Sequence, residues 1–140
     1  MGDPVGLPFI WSATAGIAPL PTIGTGLIYD LDMTSDGAIV VGSEQVNGGW
    51  IPTVWDSQHR AYELTQVLIS EHGFSPADIR FNQVRGISGD GRALLVVSPT
   101  EELFALYLDK PLVAPVPEPT SWLMFVFGLV TIAGRHRRSL

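Results

Sequence analysis

Three aspartates close together in the sequence are the first side chains that could do chemistry. Asp30, Asp32 and Asp36 precede Gly37, and carboxylates two residues apart can share a hard cation such as Ca²⁺. The spacing departs from the calcium-loop pattern, which requires Asp or Asn at the fifth position and Gly at the sixth. We therefore expect solvated turn aspartates and no metal site.

The other polar residues form no catalytic constellation in the sequence. His59 and His72 have no acid or second histidine at ligand spacing, and we expect both to be exposed. Ser35 and Ser88 lack the Gly-x-Ser-x-Gly pattern of a nucleophile elbow. Glu101-Glu102 is predicted to be a charged hairpin turn. The sequence predicts a protein that is not an enzyme and needs no cofactor.

Tryptophans could stack on sugar rings, which gives a second kind of chemistry. Trp11 and Trp55 recur at one position of an internal repeat, so we expect both to pack in the core. Trp50 has no repeat partner and is the tryptophan predicted to contact a ligand. Exopolysaccharide is the candidate ligand.

An internal repeat must position these residues. Leu7-Pro8-Phe9-Ile10-Trp11 matches Ile51-Pro52-Thr53-Val54-Trp55 at an offset of 44, and a leucine follows each tryptophan by nine residues. A third copy, residues 104–107, has Tyr107 in the tryptophan place. Residues 32–42 match residues 86–96 at an offset of 54. A period near 44 with an Asp-Gly turn is typical of propeller blades.

Turn residues divide each unit into antiparallel strands. Gly37 and Gly91 follow an aspartate and are suited to the positive φ that ends a type I hairpin turn. A second turn is predicted around residues 47–49. Between Leu64 and Val84 the pattern predicts a short helix capped by Thr65 and ended by Gly73 as C′. Residues 75–78 follow as a capped turn with proline at a first helical position.

The pattern G-I-S-x-D-G followed by an aromatic strand and a leucine resembles the HAF-type extracellular repeats of bacterial surface proteins. The resemblance covers about residues 7–110. It departs at Met33-Thr34, where the family has Ile-Ser, and at Val97-Ser98, where Val-Gly is usual. Since two blades expose sheet edges and cannot close a ring, we expect a larger parent protein. The start of the chain lacks a basic and apolar secretory leader, which indicates either a misplaced start codon or the C-terminal piece of a longer protein, and the repeats favour the second.

Composition excludes several function classes. The 140 residues carry a formal net charge of −6, and three of the eight basic residues lie in the last six positions. A surface this acidic argues against nucleic-acid binding, which needs a basic patch. The sequence has no cysteine, so disulfides and thiolate metal sites are excluded.

The C-terminal residues have a different character. The triplet Pro117, Glu118 and Pro119 stands before an apolar stretch: Glu118 is followed by 16 uncharged residues, the first of which is Pro119, and then by a basic cluster, Arg135, Arg137 and Arg138. As a helix this run would measure about 24 Å, slightly short of the roughly 30 Å hydrocarbon core. Snorkelling arginines and local bilayer thinning can cover the difference. The positive-inside rule leaves the arginines in the cytoplasm.

This order of triplet, apolar run and basic cluster resembles the PEP-CTERM sorting signal of bacterial surface proteins. The resemblance implies an exosortase as a transient partner, with residues 116–119 (Val116, Pro117, Glu118 and Pro119) as its recognition element. It also implies membrane insertion through residues 120–134, with the arginines as the stop. Export to the cell envelope, and then to the cell surface or the extracellular space, would follow.

Together these patterns predict an all-β fold of about two antiparallel, propeller-like blade repeats with one inserted helix, and a C-terminal transmembrane helix. The expected regions are a repeat domain over 1–110, a Pro-rich linker over 111–119, a membrane helix over 120–134 and a basic tail over 135–140. The expected function is that of a non-enzymatic surface or extracellular-matrix protein. The alternatives are a fragment of a propeller enzyme and a sugar-binding module whose site lies in upstream blades.

Overall fold

The computed structural model describes residues 8–24 and 27–112. These residues are mostly β, with three antiparallel sheets and one α-helix. The N-terminal hairpin contains β1 (Phe9–Ser12) and β2 (Gly16–Pro19). The central sheet contains β3 (Leu27–Met33), β4 (Val40–Val46), β5 (Gly49–Trp55) and β6 (Ala61–Glu63). Helix α1 (Leu64–His72) and a 3₁₀ turn (Pro76–Asp78) lead to the third sheet, made of β7 (Gln83–Ile87), β8 (Ala93–Val97) and β9 (Leu103–Tyr107).

The first turns of the central and third sheets have the same hydrogen bonds, 54 residues apart. The Thr34 hydroxyl donates to Asp36 Oδ1 at 2.7 Å, and the Ser88 hydroxyl donates to Asp90 Oδ1 at 2.7 Å. Gly37 and Gly91 adopt φ of 71° and 75°, as predicted. Each sheet also has an irregular pairing in its first strand, between Tyr29 and Asp32 and between Val84 and Gly86. The offset seen in the sequence is therefore a repeat of the backbone.

The N-terminal hairpin repeats the last two strands of the central sheet. In the hairpin Trp11 pairs with Ile17, and in the central sheet Trp55 pairs with Ala61. All three described pairs of β5 with β6 have a counterpart in the hairpin at the offset of 44. The two hairpins thus share one register.

The second turns of the central and third sheets differ, and one prediction fails for that reason. The central sheet has a two-residue turn at Asn47-Gly48, where both residues have positive φ, as a type I′ hairpin requires. The third sheet has a five-residue turn over 98–102, in which Glu101 has φ 65°. The longer turn changes the register, so that Leu106 and not Tyr107 takes the place of Trp55. The predicted equivalence of Tyr107 with the tryptophan is wrong.

Helix α1 lies where the sequence predicts a helix, but its start differs from the prediction. The helix begins at Leu64 with Glu63 as N-cap and without a capping side chain, so the prediction of Thr65 as cap is wrong. Leu64 is fully buried and continues directly from β6, and this packing fixes the start. Gly73 ends the helix in the left-handed conformation, as predicted. In the following turn the Ser75 hydroxyl and amide both donate to Asp78 Oδ2, which confirms the predicted cap.

Two apolar clusters hold the sheets together. The larger lies between the central and third sheets and beneath α1, and it contains Val41, Val54, Leu68, Val84 and Leu94 among others. The smaller joins the N-terminal hairpin to the central sheet. Its centre is the fully buried Trp55, with Leu20 and Val40 packed around it and Ile10 partly buried against it.

Trp11 and Trp55 occupy matching repeat positions but have different environments in the structure. Trp55 is in the core, as predicted, whereas Trp11 is 65% exposed and the prediction of a core position for it is wrong. In the described residues Trp55 has a neighbouring hairpin on its face of the sheet, and Trp11 has none on its own. A repeat position thus becomes core only where the adjacent unit covers it.

Candidate functional site

The three aspartates considered as possible metal ligands each contact a different partner. Asp30 forms an ion pair with Arg85 at 3.8 Å. One Asp32 oxygen accepts the Ile87 amide of the third sheet at 2.9 Å. Asp36 accepts the Thr34 hydroxyl and the Ala38 amide within its own turn. Across residues 8–24 and 27–112, no group of three or more His, Asp or Glu side chains is placed to hold a metal ion.

The turn carboxylates are held in their ionised forms. The Ala38 amide, followed by the Thr34 hydroxyl, lowers the pKa of Asp36 below its usual value. The Ser88 hydroxyl and the Arg92 amide lower the pKa of Asp90 in the same way. Hydrogen bonds to the charged form stabilise it, and these bonds also close the turns. The two aspartates therefore have a structural role in matching positions.

Ser43 connects the central and third sheets in a way that the sequence did not reveal. Its hydroxyl donates to the Val84 carbonyl at 2.7 Å and accepts the Val84 amide at 2.9 Å. The side chain is fully buried. The equivalent residue of the third sheet is Val97, so the repeat alone gives no signal for a polar contact here.

Glu44 is the second buried polar residue that sequence reasoning missed. Its side chain is fully buried, and its carboxylate accepts the amides of Ile23 and Gly24. A Cβ at residue 24 would lie 2.5 Å from Val46 Cγ1, so glycine is required for this approach. The carboxylate fixes the connection between the N-terminal hairpin and the central sheet. The indole of Trp55 adds a third bond there, donated to the Pro21 carbonyl at 2.7 Å.

The two histidines of the described part lie apart and in different settings. His59 is half-buried in the turn over 56–60 and has φ 62°. His72 is half-buried in the last turn of α1, where burial and then the charge of Lys110 lower its pKa. Ser35 and Ser88 have other partners: the Ser35 amide donates to the Gly89 carbonyl of the third sheet, and the Ser88 hydroxyl accepts the Arg92 amide within its own turn.

Trp50 lies on the same face of the central sheet as Val54, close to the turn at Asn47-Gly48. It is half-buried, and its ring meets Tyr29 edge to face at a centroid distance of 5.4 Å. Tyr29 is itself exposed. Edge-to-face pairs of this kind fix the orientation of both rings. The pair presents an ordered aromatic surface beside the Asp30–Arg85 ion pair.

The predicted sorting element lies outside the described residues. This applies to Val116, Pro117, Glu118 and Pro119, to the predicted membrane helix over 120–134, and to Arg135, Arg137 and Arg138. Within the described part of the chain, none of the helical segments has the length and apolar character needed to cross a membrane.

Comparison with known protein families supplies the decisive observation for this segment. Residues 115–138 match the PEP-CTERM protein-sorting motif. The PEP-CTERM match includes the Pro-Glu-Pro triplet, the apolar run and all three terminal arginines. Searches of the curated proteins and of the solved structures found no match.

The PEP-CTERM motif has direct consequences for sorting. It implies that the chain is exported, processed at the membrane and sorted by an exosortase, which recognises this motif. The sequence prediction of a PEP-CTERM signal is thereby confirmed. The sheets and the motif occupy separate stretches of the chain, since the last described residue is Leu112 and the motif begins at residue 115.

Proposed function

We propose that this chain is a non-enzymatic surface or extracellular-matrix protein, whose β-sheets are delivered outside the cell by the PEP-CTERM motif. The observation that carries the proposal is the match over residues 115–138. The residues before the motif carry 13 acidic against five basic side chains, a balance suited to a solvated surface module. The recognition element is Val116, Pro117, Glu118 and Pro119, and the apolar run is the transient membrane anchor.

The repeat geometry supports the finer part of the proposal. The register shared at an offset of 44 and the turns shared at an offset of 54 are those expected of stacked blade-like units. We propose that these units are HAF-type repeats of a propeller-like array in a longer protein. In this array most polar residues close turns or join sheets, and Ser43 and Asp32 are examples.

The proposal is tested by the intact mass of the protein from its native host, with and without its exosortase. We expect a shortened species, ending near residues 117–120, only when the exosortase is present. The double variant Pro117→Ala with Glu118→Ala should remain unprocessed. The double variant Lys110→Ala with Pro111→Ala is the matched control, because it removes a charge and a proline just outside the motif. Normal processing of the first variant would refute the proposed recognition element.

A second proposal, sugar binding at the aromatic pair, is favoured by the fixed orientation of Trp50 against the exposed ring of Tyr29. Exopolysaccharide from the host would then change the tryptophan fluorescence of the protein. Trp50→Phe should abolish that change, whereas Trp11→Phe should leave it. An equal response from both variants would exclude a site at Trp50.

A further inference from the structure

Two largely exposed apolar faces lie at opposite ends of the stack of sheets formed by residues 8–24 and 27–112. The first is the outer face of the N-terminal hairpin, formed by Phe9, Trp11 and Ile17, which are 58%, 65% and 69% exposed. The second is on the outer face of the third sheet, where Leu95, Leu103, Ala105 and Tyr107 are exposed while Val97, on the same side of β8, is buried. Cross-strand pairing places each set on one side of its sheet, since Trp11 pairs with Ile17 and Leu95 pairs with Ala105.

The interior of the molecule shows what covers such faces. The counterpart of Trp11 is Trp55, which packs in one cluster with Ile10 of the preceding hairpin. The counterparts of Leu95 and Ala105 are Val41 and Val54, which are fully buried against the third sheet. Each kind of face therefore already meets the other kind inside the chain.

The outer face of the third sheet has room for a large side chain. A mainly apolar, open depression of about 310 Å³ lies there, lined by Gly86, Leu95 and Ala105 among others, and also by Asp32 of the central sheet. The small residues Gly86 and Ala105 leave room there for a large side chain. Ala105 pairs with Leu95 as Val54 pairs with Val41, so Ala105 occupies the position of Val54. Val54 in turn matches Ile10 at the offset of 44, and Ile10 is packed in the cluster around Trp55.

We propose that a second copy of this chain covers these faces head to tail, with Trp11 of one copy inserted against Ala105 of the next. The interface continues the packing that joins the hairpin to the central sheet. It is heterologous, so that each copy keeps one free face of each kind and further copies can add. This inference goes beyond sorting and does not depend on it. At the hairpin face it is the alternative to an upstream repeat of a longer protein, which would cover Trp11 within a single chain.

The interface is small, because a two-stranded hairpin supplies one side of it. Small interfaces belong to the weak class, and we expect association at concentrations on the order of 100 µM. In sedimentation equilibrium of the full chain in mild detergent, the mass should rise with concentration above that of a single copy. A single-copy mass throughout would overturn the proposal and leave the faces to a different partner.

Two matched variants test the direction of the contact. Trp11→Glu and Ala105→Glu each add one negative charge at an exposed position, and each should abolish association when measured alone. Mixed together, they should form a species of two copies and no larger, because one intact face of each kind remains. If either variant associated as strongly as the wild type, the association would be assigned to the C-terminal tail and the proposal would be overturned. Absence of pairing in the mixture would also overturn it.

The lack of cysteine in the chain permits a second measurement that does not depend on those variants. Chains carrying Ile17→Cys, which is beside Trp11 on the same face and keeps its ring, and chains carrying Ala105→Cys, mixed under mild oxidation, should crosslink to each other at least tenfold faster than either does with Ser57→Cys. Ser57 is exposed in a turn and serves as the matched control. Equal rates for all pairs would contradict insertion of residue 11 against residue 105.

Discussion

The central and third sheets begin with the same turn, but they differ in how much of each is core. In the central sheet Val41 and Val54 are fully buried. At the matching positions of the third sheet, Leu95 and Ala105 are exposed although their side chains are also apolar. The difference shows that burial in this chain is decided by the neighbouring sheet and not by the residue alone. The stability of each sheet should therefore depend on its neighbours.

The largest expected effect compares the matching residues Trp55 and Leu106. Trp55→Ala should lower the free energy of unfolding by about 3–5 kcal/mol, because it removes a fully buried indole and its bond to Pro21. Leu106→Ala should cost about 1–2 kcal/mol, because Leu106 is only half-buried. Urea unfolding of the full chain, followed by far-UV circular dichroism, measures both. Equal losses of unfolding free energy at the two positions would show that burial by a neighbouring sheet does not distinguish Trp55 from Leu106.

Val41 and Leu95 give the second test. Val41→Ala should destabilise the protein by about 1.5–3 kcal/mol, since it removes buried methyl groups and leaves a cavity between the sheets. Leu95→Ala should cost less than about 1 kcal/mol when the chain is dilute, because that side chain faces solvent. The same unfolding measurement applies. A larger loss at Leu95 would show that its face is covered even in a single copy.

A third test concerns Ser43, at a position where the central and third sheets have different residues. Ser43→Val introduces the residue that the third sheet has at this position, and it leaves the Val84 amide and carbonyl without their buried partner. We expect a loss of about 1–3 kcal/mol in unfolding free energy. Ser57→Val, in an exposed turn, is the control and should stay within about 0.5 kcal/mol. A neutral Ser43→Val would mean that the hydroxyl is dispensable.

The smallest effect concerns the matching turn aspartates. Because the pKa values of Asp36 and Asp90 are lower in the folded protein, their stabilisation is present above the unfolded value of 3.8 and is lost as pH falls through the folded value. Asp36→Ala and Asp90→Ala should each lower the thermal midpoint at about pH 5, and the difference from wild type should shrink as the pH falls below the unfolded value of 3.8. Unequal shifts would show that the two turns are not equivalent.

The sequence predicted the features that depend on local chemistry. The turns at Gly37 and Gly91 and the helix end at Gly73 follow from backbone conformations that glycine favours. The offset of 54 located both turns because the same hydrogen-bonding side chains recur. The PEP-CTERM motif was recognisable because its residue types and their order are specific.

Features set by tertiary contacts could not be predicted in the same way. The place of Leu106 depends on the length of a turn for which the central sheet gives no template. The exposure of Trp11 depends on which sheet lies beside it. Glu44 is buried only because the chain over 20–24 returns to offer two amides, and an acidic residue in a strand gives no sign of this.

The contact of Leu112 with the first turn of the third sheet has a mechanical consequence. The Leu112 amide donates to the Gly91 carbonyl at 2.8 Å, and its side chain is buried. A pulling force on the chain beyond Leu112 would act on this hydrogen bond and on the buried Leu112 side chain before it acted on the edge strand β9. The turn that contains Gly91 is also bonded to the central sheet, because the Ser35 amide donates to the Gly89 carbonyl. A pull on the C-terminal end is thus shared between two sheets, and β9 is shielded from being peeled off one hydrogen bond at a time.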